Sequence, residues 1–124
     1  NIKNDFVDLI VQSVNGRLNE IDIDWINKKS ICIVLTSKGY PDDYIKSKLI
    51  KGLEDFKIKE NQFIFHAGTK ISDQKFFSNG GRVLNFVSVN DDFKLARDNS
   101  IKLIENLDWE NGYYRKDIGF KVID

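Results

Sequence analysis

The feature that most constrains the fold is a continuous apolar run at residues 31–36, rich in β-branched side chains. The run is far shorter than the roughly 20 apolar residues that a membrane-spanning helix needs. A short, unbroken stretch of this kind is typical of a strand that is covered on both faces. We therefore predict a buried strand here, with Cys32 as a small apolar residue inside it.

Helical periodicity is clear in two other stretches. Residues 4–16 place their apolar side chains on one face, with Asn4 as a suitable N-cap and Gly16 as a natural stop. The clearest helix starts near residue 92, where an Asp can cap it, and its apolar stripe runs to Leu107. Both stretches are therefore predicted to be helices.

The remaining apolar patterns predict further strands. Turn signals at 72–74 and 78–81 separate several of these segments. Residues 45–56 have helical spacing, which Gly52 weakens. Together the patterns predict an α+β fold, with a mainly antiparallel sheet and a long helix packed on it. The predicted strands are 21–25, 31–36, 63–66, 82–89 and 113–122.

The composition narrows the class of protein. At 124 residues, with 41% hydrophobic and 31% charged side chains, the chain fits one globular domain. Its 19 basic and 19 acidic residues balance, so nothing favours nucleic acid or an acidic membrane as a partner. A single Cys suits a reducing compartment, and we expect a cytoplasmic protein. The chain has one His, and its His and Cys residues lack the spacing of a metal site. It also has no Walker-type loop, so the sequence offers few residues for catalysis.

The chain contains no Met. A translated chain begins with Met, whereas this one begins with Asn1. Either the start was removed or the chain is a piece of something longer, and composition does not choose between the two.

The first of three candidate loops is 65–70. His66 is followed by Gly68 and Thr69, so the loop could present an imidazole and backbone N–H groups to an anion. The alternative is a tight turn whose His is satisfied within the protein.

The second candidate loop contains Gly80, Gly81 and Arg82. Paired glycines allow a positive φ and a close approach of backbone to ligand, and the Arg could bind phosphate or carboxylate through two hydrogen bonds. The alternative is a hairpin turn followed by a surface Arg.

The third candidate loop spans 113–120, where Arg115 and Lys116 stand beside two tyrosines and Asp117. The cations could hold an anionic substrate or contribute to an interface. The alternative is the end of an aromatic strand with a surface ion pair to Asp117, which would be worth little.

Taken in order, four motifs resemble the C-terminal domain of the phosphoribosylamine–glycine ligase family. They are Ser-Lys-Gly-Tyr-Pro at 37–41, Phe-His-Ala-Gly-Thr at 65–69, Asn-Gly-Gly-Arg-Val-Leu at 79–84 and Tyr-Arg-Lys-Asp-Ile-Gly at 114–119. The resemblance spans essentially the whole chain. Asp42 departs from it, because the family usually has Gly after the Pro.

The resemblance implies an ATP-grasp ligase that joins glycine to 5-phosphoribosylamine, giving glycinamide ribonucleotide, ADP and phosphate in purine biosynthesis. It implies that glycine is first phosphorylated to an acyl phosphate, which the amine of phosphoribosylamine then attacks. Both intermediates are labile in water, so the reaction needs alignment and closure. The full-length enzyme would bind ATP together with magnesium or manganese. This fragment alone would bind none of them.

On the same resemblance, residues 1–18 would be the tail of the ATP-grasp core and residues 19–124 the C-terminal domain. The partners would be the upstream N-terminal and ATP-grasp domains of the same chain. The fragment would close the substrate cleft without being active alone, and without catalytic residues or metal ligands of its own. The expected substrate-binding residues are Gly80, Gly81, Arg82, Arg115, Lys116, His66, Gly68 and Thr69.

Two other classes of function stay open on the residues alone. One is a freestanding α+β module that binds or senses a small molecule and shares these loops. The other is an interaction domain in which Trp109, Tyr113 and Tyr114 anchor a partner. An ATP-grasp region running directly upstream of Asn1 in the reading frame would favour the ligase over both.

Overall fold

A computed structural model describes residues 1–123, which contain a four-stranded sheet and a long helix that covers it. Two short 3₁₀ helices, Leu18–Glu20 and Phe120–Val122, complete the regular structure of the described residues. The helices are α1 (Phe6–Val14) and α2 (Phe93–Leu107), and the strands are β1 (Lys29–Ser37), β2 (Gln62–His66), β3 (Thr69–Ser72), β4 (Lys75–Ser78), β5 (Arg82–Asn90) and β6 (Gly112–Tyr113).

The main sheet has four strands in the order β2-β5-β1-β6, and every neighbouring pair is antiparallel. β3 and β4 form a separate antiparallel hairpin, whose tip has positive φ at Asp73 and Gln74. Loops of two such left-handed residues suit the twist of a hairpin. The predicted α+β fold with a mainly antiparallel sheet is therefore confirmed.

The long helix α2 covers one face of the main sheet, which we call the inner face. The Asp92 side chain accepts a hydrogen bond from the Leu95 N–H at 2.9 Å and caps the helix. The helix buries its predicted stripe, and Ser100 donates from its hydroxyl to the Ile31 carbonyl. The buried helix residues are Ala96, Ser100, Leu103, Ile104 and Leu107.

Within residues 1–123, no helix covers the opposite face of the sheet, the outer face. In β1, the buried side chains of Ile31, Ile33 and Leu35 alternate with exposed or half-buried ones. The prediction that this strand is buried on both faces is wrong, and Cys32 is exposed. Because every residue of the run is apolar or β-branched, the sequence does not show that a helix covers only one of the two faces of the strand.

The first helix is shorter than predicted and is capped by a different residue. Asp5 accepts hydrogen bonds from the N–H groups of Val7 and Asp8, so Asp5 rather than Asn4 is the N-cap. The Asn4 side chain instead bonds the backbone at positions 22 and 24. Gly16 ends the helix as predicted, with φ of +70°. Most of the apolar face of α1 is exposed, and within the helix only Leu9 is buried.

Two predicted elements are replaced by irregular backbone. Residues 21–25 do not form a strand, and only an isolated bridge joins Trp25 to Ile2. Residues 45–56 do not form a helix. The Ile50 N–H donates to the Phe76 carbonyl at 2.8 Å, so this segment follows the edge of the β3–β4 hairpin. The apolar residues of this segment are spaced as they are because they contact that hairpin and the core, and not because they form one face of a helix.

The end of the chain also differs from the prediction of a strand at 113–122. β6 is only two residues long and pairs with the end of β1. The chain then turns, and Gly119 adopts φ of +79°, which interrupts an extended conformation.

No helix within residues 1–123 combines the length and the apolar character that crossing a membrane requires.

Candidate functional site

An aromatic-walled groove lies on the outer face of the sheet. It encloses about 480 Å³ and has a mainly apolar lining. β1 forms its floor, the loop after β1 forms one wall, and the segment after β6 forms the other. The lining residues are Cys32, Ile33, Val34, Thr36, Tyr40, Pro41, Tyr113, Tyr114, Arg115 and Ile118.

The wall that carries Tyr40 is held by two glycines. Gly39 has φ of +95°, and a Cβ there would lie 2.1 Å from the Asp43 carbonyl oxygen, so the loop folds back on itself. Gly81 is buried under the Tyr40 ring, and a Cβ on Gly81 would lie 2.0 Å from the ring carbon Cδ2. The motif at 37–41 therefore packs directly on the glycine pair that the sequence singled out.

The loops at 65–69 and 79–82 are packed backbone to backbone. Gly68 donates its N–H to the Arg82 carbonyl at 2.8 Å and accepts from the Asn79 N–H at 2.7 Å. A Cβ on Gly68 would lie 2.6 Å from the Arg82 oxygen and 2.7 Å from the Gly80 Cα. Neither Gly80 nor Gly81 has a positive φ, so that expectation is wrong. The close approach that these glycines allow is to the protein's own backbone and to Tyr40.

Arg82 is not among the residues that line the groove, but it lies beside Thr36 of the groove floor. It is paired with Thr36 across β5 and β1, and direct partners in antiparallel strands share a face. On its other side, Thr36 pairs with Tyr113 of β6 and donates its hydroxyl to the Tyr113 carbonyl at 3.0 Å. The Arg82 side chain makes no salt bridge to any residue of 1–123. An exposed guanidinium without a carboxylate partner is well suited to an anion.

Arg115 stands in the opposite wall and already has a partner. Its guanidinium donates two hydrogen bonds to the Asp117 carboxylate, at 3.0 and 2.6 Å. The surface ion pair that the sequence offered as an alternative is therefore formed. The hydrogen bonds from Arg115 hold the pKa of Asp117 below its ordinary value. The two hydrogen bonds hold a groove-lining guanidinium beside the Asp117 carboxylate.

We expect the Asp117 carboxyl to titrate at a higher pH in an Arg115→Ala variant than in the wild-type protein. A lowered pKa means that the pair is intact at neutral pH and is lost only as the pH falls through that pKa, below about pH 4. Carbon NMR of the Asp side-chain carboxyls measures this directly. An unchanged Asp117 titration would contradict the bidentate pair.

The other predicted site residues lie away from the groove lining. His66 pairs with Leu84, an inner-face residue, and its ring stacks on Phe76 with centroids 5.0 Å apart. Its Nδ1 is 2.9 Å from the Thr69 hydroxyl, so one ring nitrogen has a partner within the protein although the residue is exposed. Lys116 lines a separate depression at the edge of β6. The structure brings Gly68, Gly80, Gly81 and Arg82 together, with Arg115 across the groove.

Two groove residues have shifted acidities. Cys32 is exposed, but the groove walls partly surround its thiol. The resulting desolvation raises the pKa of the thiol. Burial also raises the pKa of Tyr114, with a further contribution from Glu105 on α2. The Cys32 thiol is therefore a weak nucleophile at neutral pH.

Three residues were missed as site candidates by reasoning from sequence. Thr36 and Tyr40 line the groove, and Arg97 on α2 holds the segment that carries Arg115. Tyr40 lies in the motif at 37–41, whereas the only signal for Arg97 is that just four of the 19 basic residues of the chain are Arg.

One of the three aromatic residues expected to anchor a partner in an interaction domain is not available at the surface. Trp109 is buried in the core and donates its indole N–H to the Leu49 carbonyl at 3.0 Å. Tyr113 remains exposed.

Residues 30–121 match the family described as phosphoribosylglycinamide synthetase, C domain. The matched range contains the main sheet except Lys29 at the start of β1, and it also contains α2 and both walls of the groove.

Curated relatives are similar over nearly the whole chain. A phosphoribosylamine–glycine ligase of Caldanaerobacter subterraneus is 40% identical over 117 residues, which cover 94% of this chain and 27% of that protein. A ligase of the same name from Fusobacterium nucleatum is 42% identical, with 95% and 28% covered. A bifunctional purine biosynthetic protein of Dictyostelium discoideum is 40% identical, with 99% and 15% covered.

The fold is also similar to a solved structure. A crystal structure of phosphoribosylamine–glycine ligase from Thermotoga maritima superimposes with a TM-score of 0.66 at 29% identity, covering 87% of this chain and 27% of that one. The chain therefore spans about a quarter of the length of the ligases that it matches.

Proposed function

The chain belongs to the phosphoribosylglycinamide synthetase C-domain family, and from this membership we propose that it works as the C-terminal domain of a phosphoribosylamine–glycine ligase. The resemblance seen in the sequence motifs is thereby confirmed at the level of the family, and the named relatives are ligases. The proposed reaction joins glycine to 5-phosphoribosylamine at the expense of ATP, in purine biosynthesis. The glycine carboxylate is activated as an acyl phosphate, and the amine of phosphoribosylamine displaces the phosphate.

The observation that carries the role of this chain is that Arg115 lines the groove while Arg82 lies on the other side of the same floor strand. Thr36 of the floor is paired with Arg82 on one side and with Tyr113 on the other, and Arg115 follows two residues later. The phosphate of phosphoribosylamine is an anion with several acceptor oxygens, which Arg recognises through paired hydrogen bonds. We assign this phosphate to Arg82 and Arg115, with the loops at Gly68 and Gly80–Gly81 supporting them.

The placement of residues 1–18 in an ATP-grasp core is supported by the surface of α1. Phe6, Ile10 and Val14 are exposed on that helix, at 67%, 48% and 82% of their full accessibility. A helix with an apolar stripe normally buries it against a neighbouring element. We propose that the preceding part of the full-length protein covers this stripe, and that residues 19–124 form the C-terminal domain.

The nucleotide and the metal are assigned to other parts of the full-length protein. Within residues 1–123, no three His, Cys, Asp or Glu side chains stand close enough together to hold a metal ion by themselves. We propose that magnesium or manganese is held by the preceding domains. The contribution of this chain is to bind the anionic substrate and to keep water from the labile intermediates. We propose a cytoplasmic location, where the unpaired Cys32 thiol is stable.

The test is an assay of the full-length protein that contains this chain. We expect it to form glycinamide ribonucleotide and ADP only when glycine, phosphoribosylamine, ATP and a divalent cation are all present. The isolated 124-residue chain should give no product. Absence of product from the folded full-length protein, or a reading frame that starts immediately before Asn1, would overturn the proposal.

A further inference from the structure

The segment that follows β6 keeps to the edge of the sheet without forming strand hydrogen bonds. After Tyr113 the chain passes Arg115 and Ile118, which both line the groove, and turns at Gly119. A backbone at a sheet edge leaves carbonyl groups that need a donor. In this segment a side chain from the helix on the inner face supplies that donor.

The donor is Arg97 of α2. Its Nε donates to the Ile118 carbonyl at 2.7 Å, and its Nη2 donates to the Lys116 carbonyl. The Arg97 side chain is only 17% exposed and is 3.5 Å from the Asp98 carboxylate. A guanidinium that is mostly buried and bonded to two fixed carbonyls has little freedom, so it is a rigid support.

Packing around the turn restricts it further. A Cβ on Gly119 would lie 3.2 Å from the Cδ1 of Ile31 and 3.5 Å from the Cδ of Arg97. The turn is therefore fitted between the start of β1 and the stem of Arg97.

The two carbonyls that Arg97 binds belong to the residues on either side of Asp117. Asp117 in turn holds the Arg115 guanidinium through two hydrogen bonds. The contacts therefore run from Arg97 to the backbone at 116 and 118, then to Asp117, and then to Arg115 in the wall of the groove.

We propose that Arg97 is a positioning residue: it fixes the turn at 116–119 so that Asp117 aims Arg115 into the groove, where Arg115 binds the anionic group of the substrate. This inference rests on the proposed function. Arg97 is not among the residues that line the groove, so on this proposal it does not touch the substrate itself. Its effect is on the geometry of Arg115, and misplacing a binding group by even 1 Å weakens substrate use strongly.

The experiment compares Arg97→Ala, Arg97→Lys and the control Lys102→Ala in the full-length protein. Lys102 is exposed on the same helix and makes no salt bridge within residues 1–123. We expect Arg97→Ala to raise the KM for phosphoribosylamine about tenfold, with kcat and the KM for ATP nearly unchanged. Arg97→Lys keeps a donor for one carbonyl and should fall between Arg97→Ala and the wild type. Lys102→Ala should match the wild type.

A double-mutant cycle with Arg115→Ala separates positioning from general destabilisation. If Arg97 acts through Arg115, adding Arg97→Ala to Arg115→Ala leaves the KM for phosphoribosylamine unchanged. If the two effects multiply, or if Arg97→Ala lowers kcat for every substrate alike, the positioning role is wrong. Should Arg97→Ala fail to fold, Arg97→Lys alone decides, since a wild-type KM in that variant contradicts the inference.

Failure of the proposed function would look different. A wild-type full-length protein without ligase activity removes the proposed function, whereas Arg115→Ala with a raised KM beside Arg97→Ala with a normal one removes only the positioning role.

Discussion

Replacing Gly68 with Ala is expected to lower the free energy of unfolding by about 3 kcal/mol, the upper part of the range for overpacked interiors. The new methyl group would lie 2.6 Å from the Arg82 carbonyl oxygen and 2.7 Å from the Gly80 Cα. Both neighbours are backbone atoms, which cannot rotate away as the end of a side chain can. Relief therefore requires the two loops to separate, and this breaks the hydrogen bonds of Gly68 to Arg82 and Asn79. Urea denaturation followed by circular dichroism measures the change.

Two other glycines serve as graded controls for Gly68→Ala. At Gly80 a Cβ would lie 3.1 Å from the Gly68 Cα, so Gly80→Ala should cost less. At Gly52 a Cβ would meet no atom within 4 Å. Only the φ of +76° disfavours Ala there, so Gly52→Ala should lower the free energy of unfolding by about 1 kcal/mol. A Gly68→Ala protein of normal stability that uses phosphoribosylamine poorly would show that Gly68 serves the ligand rather than the packing of the loops.

The glycine motifs were recognisable in the sequence, but the reason for them was not. The expected role was close approach to a ligand, whereas Gly68 and Gly80 approach each other and Gly81 lies under Tyr40. These contacts join positions that are more than ten residues apart. A single sequence shows that Gly stands at a position, and only the fold shows which neighbour would exclude a side chain there.

Elements with a complete local pattern were predicted well. Helix α2 has a capping Asp and an apolar stripe, and β5 lies between a Gly-rich turn and that cap, so local signals determine both ends. Residues 45–56 carry the same apolar spacing without a cap. There the backbone partners are in the β3–β4 hairpin, for example Ser78 bonded to Ser47. A pairing that depends on a distant hairpin leaves no periodic signal in the segment itself.

The candidate site was predicted in part for the same reason. Arg82 and Arg115 were identified from residue type and motif; Arg115 lines the groove, and Arg82 pairs with Thr36 of its floor. His66 was in an equally suggestive motif, but the alternation of β2 points it to the inner face, towards Phe76. Arg97 was missed because its role depends on the carbonyls of a loop about 20 residues away in sequence. The face on which a side chain lies, and the backbone that it supports, are properties of the assembled sheet.

Replacing Arg82 with Ala in the full-length protein is expected to raise the KM for phosphoribosylamine about 100-fold and to leave the KM for ATP unchanged. Hydrogen bonds to a charged group contribute about 1.5–3 kcal/mol, and 1.4 kcal/mol corresponds to a factor of ten. Arg82 makes no salt bridge within residues 1–123, so its removal orphans no carboxylate there and should leave the folding stability nearly unchanged. Steady-state kinetics with phosphoribosylamine and with ATP varied in turn measure the two constants.

Two further variants decide whether Arg82 binds the phosphate or only adds positive charge. Arg82→Lys keeps the charge but cannot form the paired hydrogen bonds of a guanidinium, so its KM should stay well above that of the wild type. Lys102→Ala removes a charge far from the groove and should not change the KM. If Arg82→Lys matched the wild type, the contribution of Arg82 would be electrostatic attraction alone, and raising the salt concentration would then weaken the wild type and Arg82→Lys equally. If Arg82→Ala itself matched the wild type, the phosphate would be bound elsewhere, and the groove would have to be assigned to another part of the substrate or to the preceding domains.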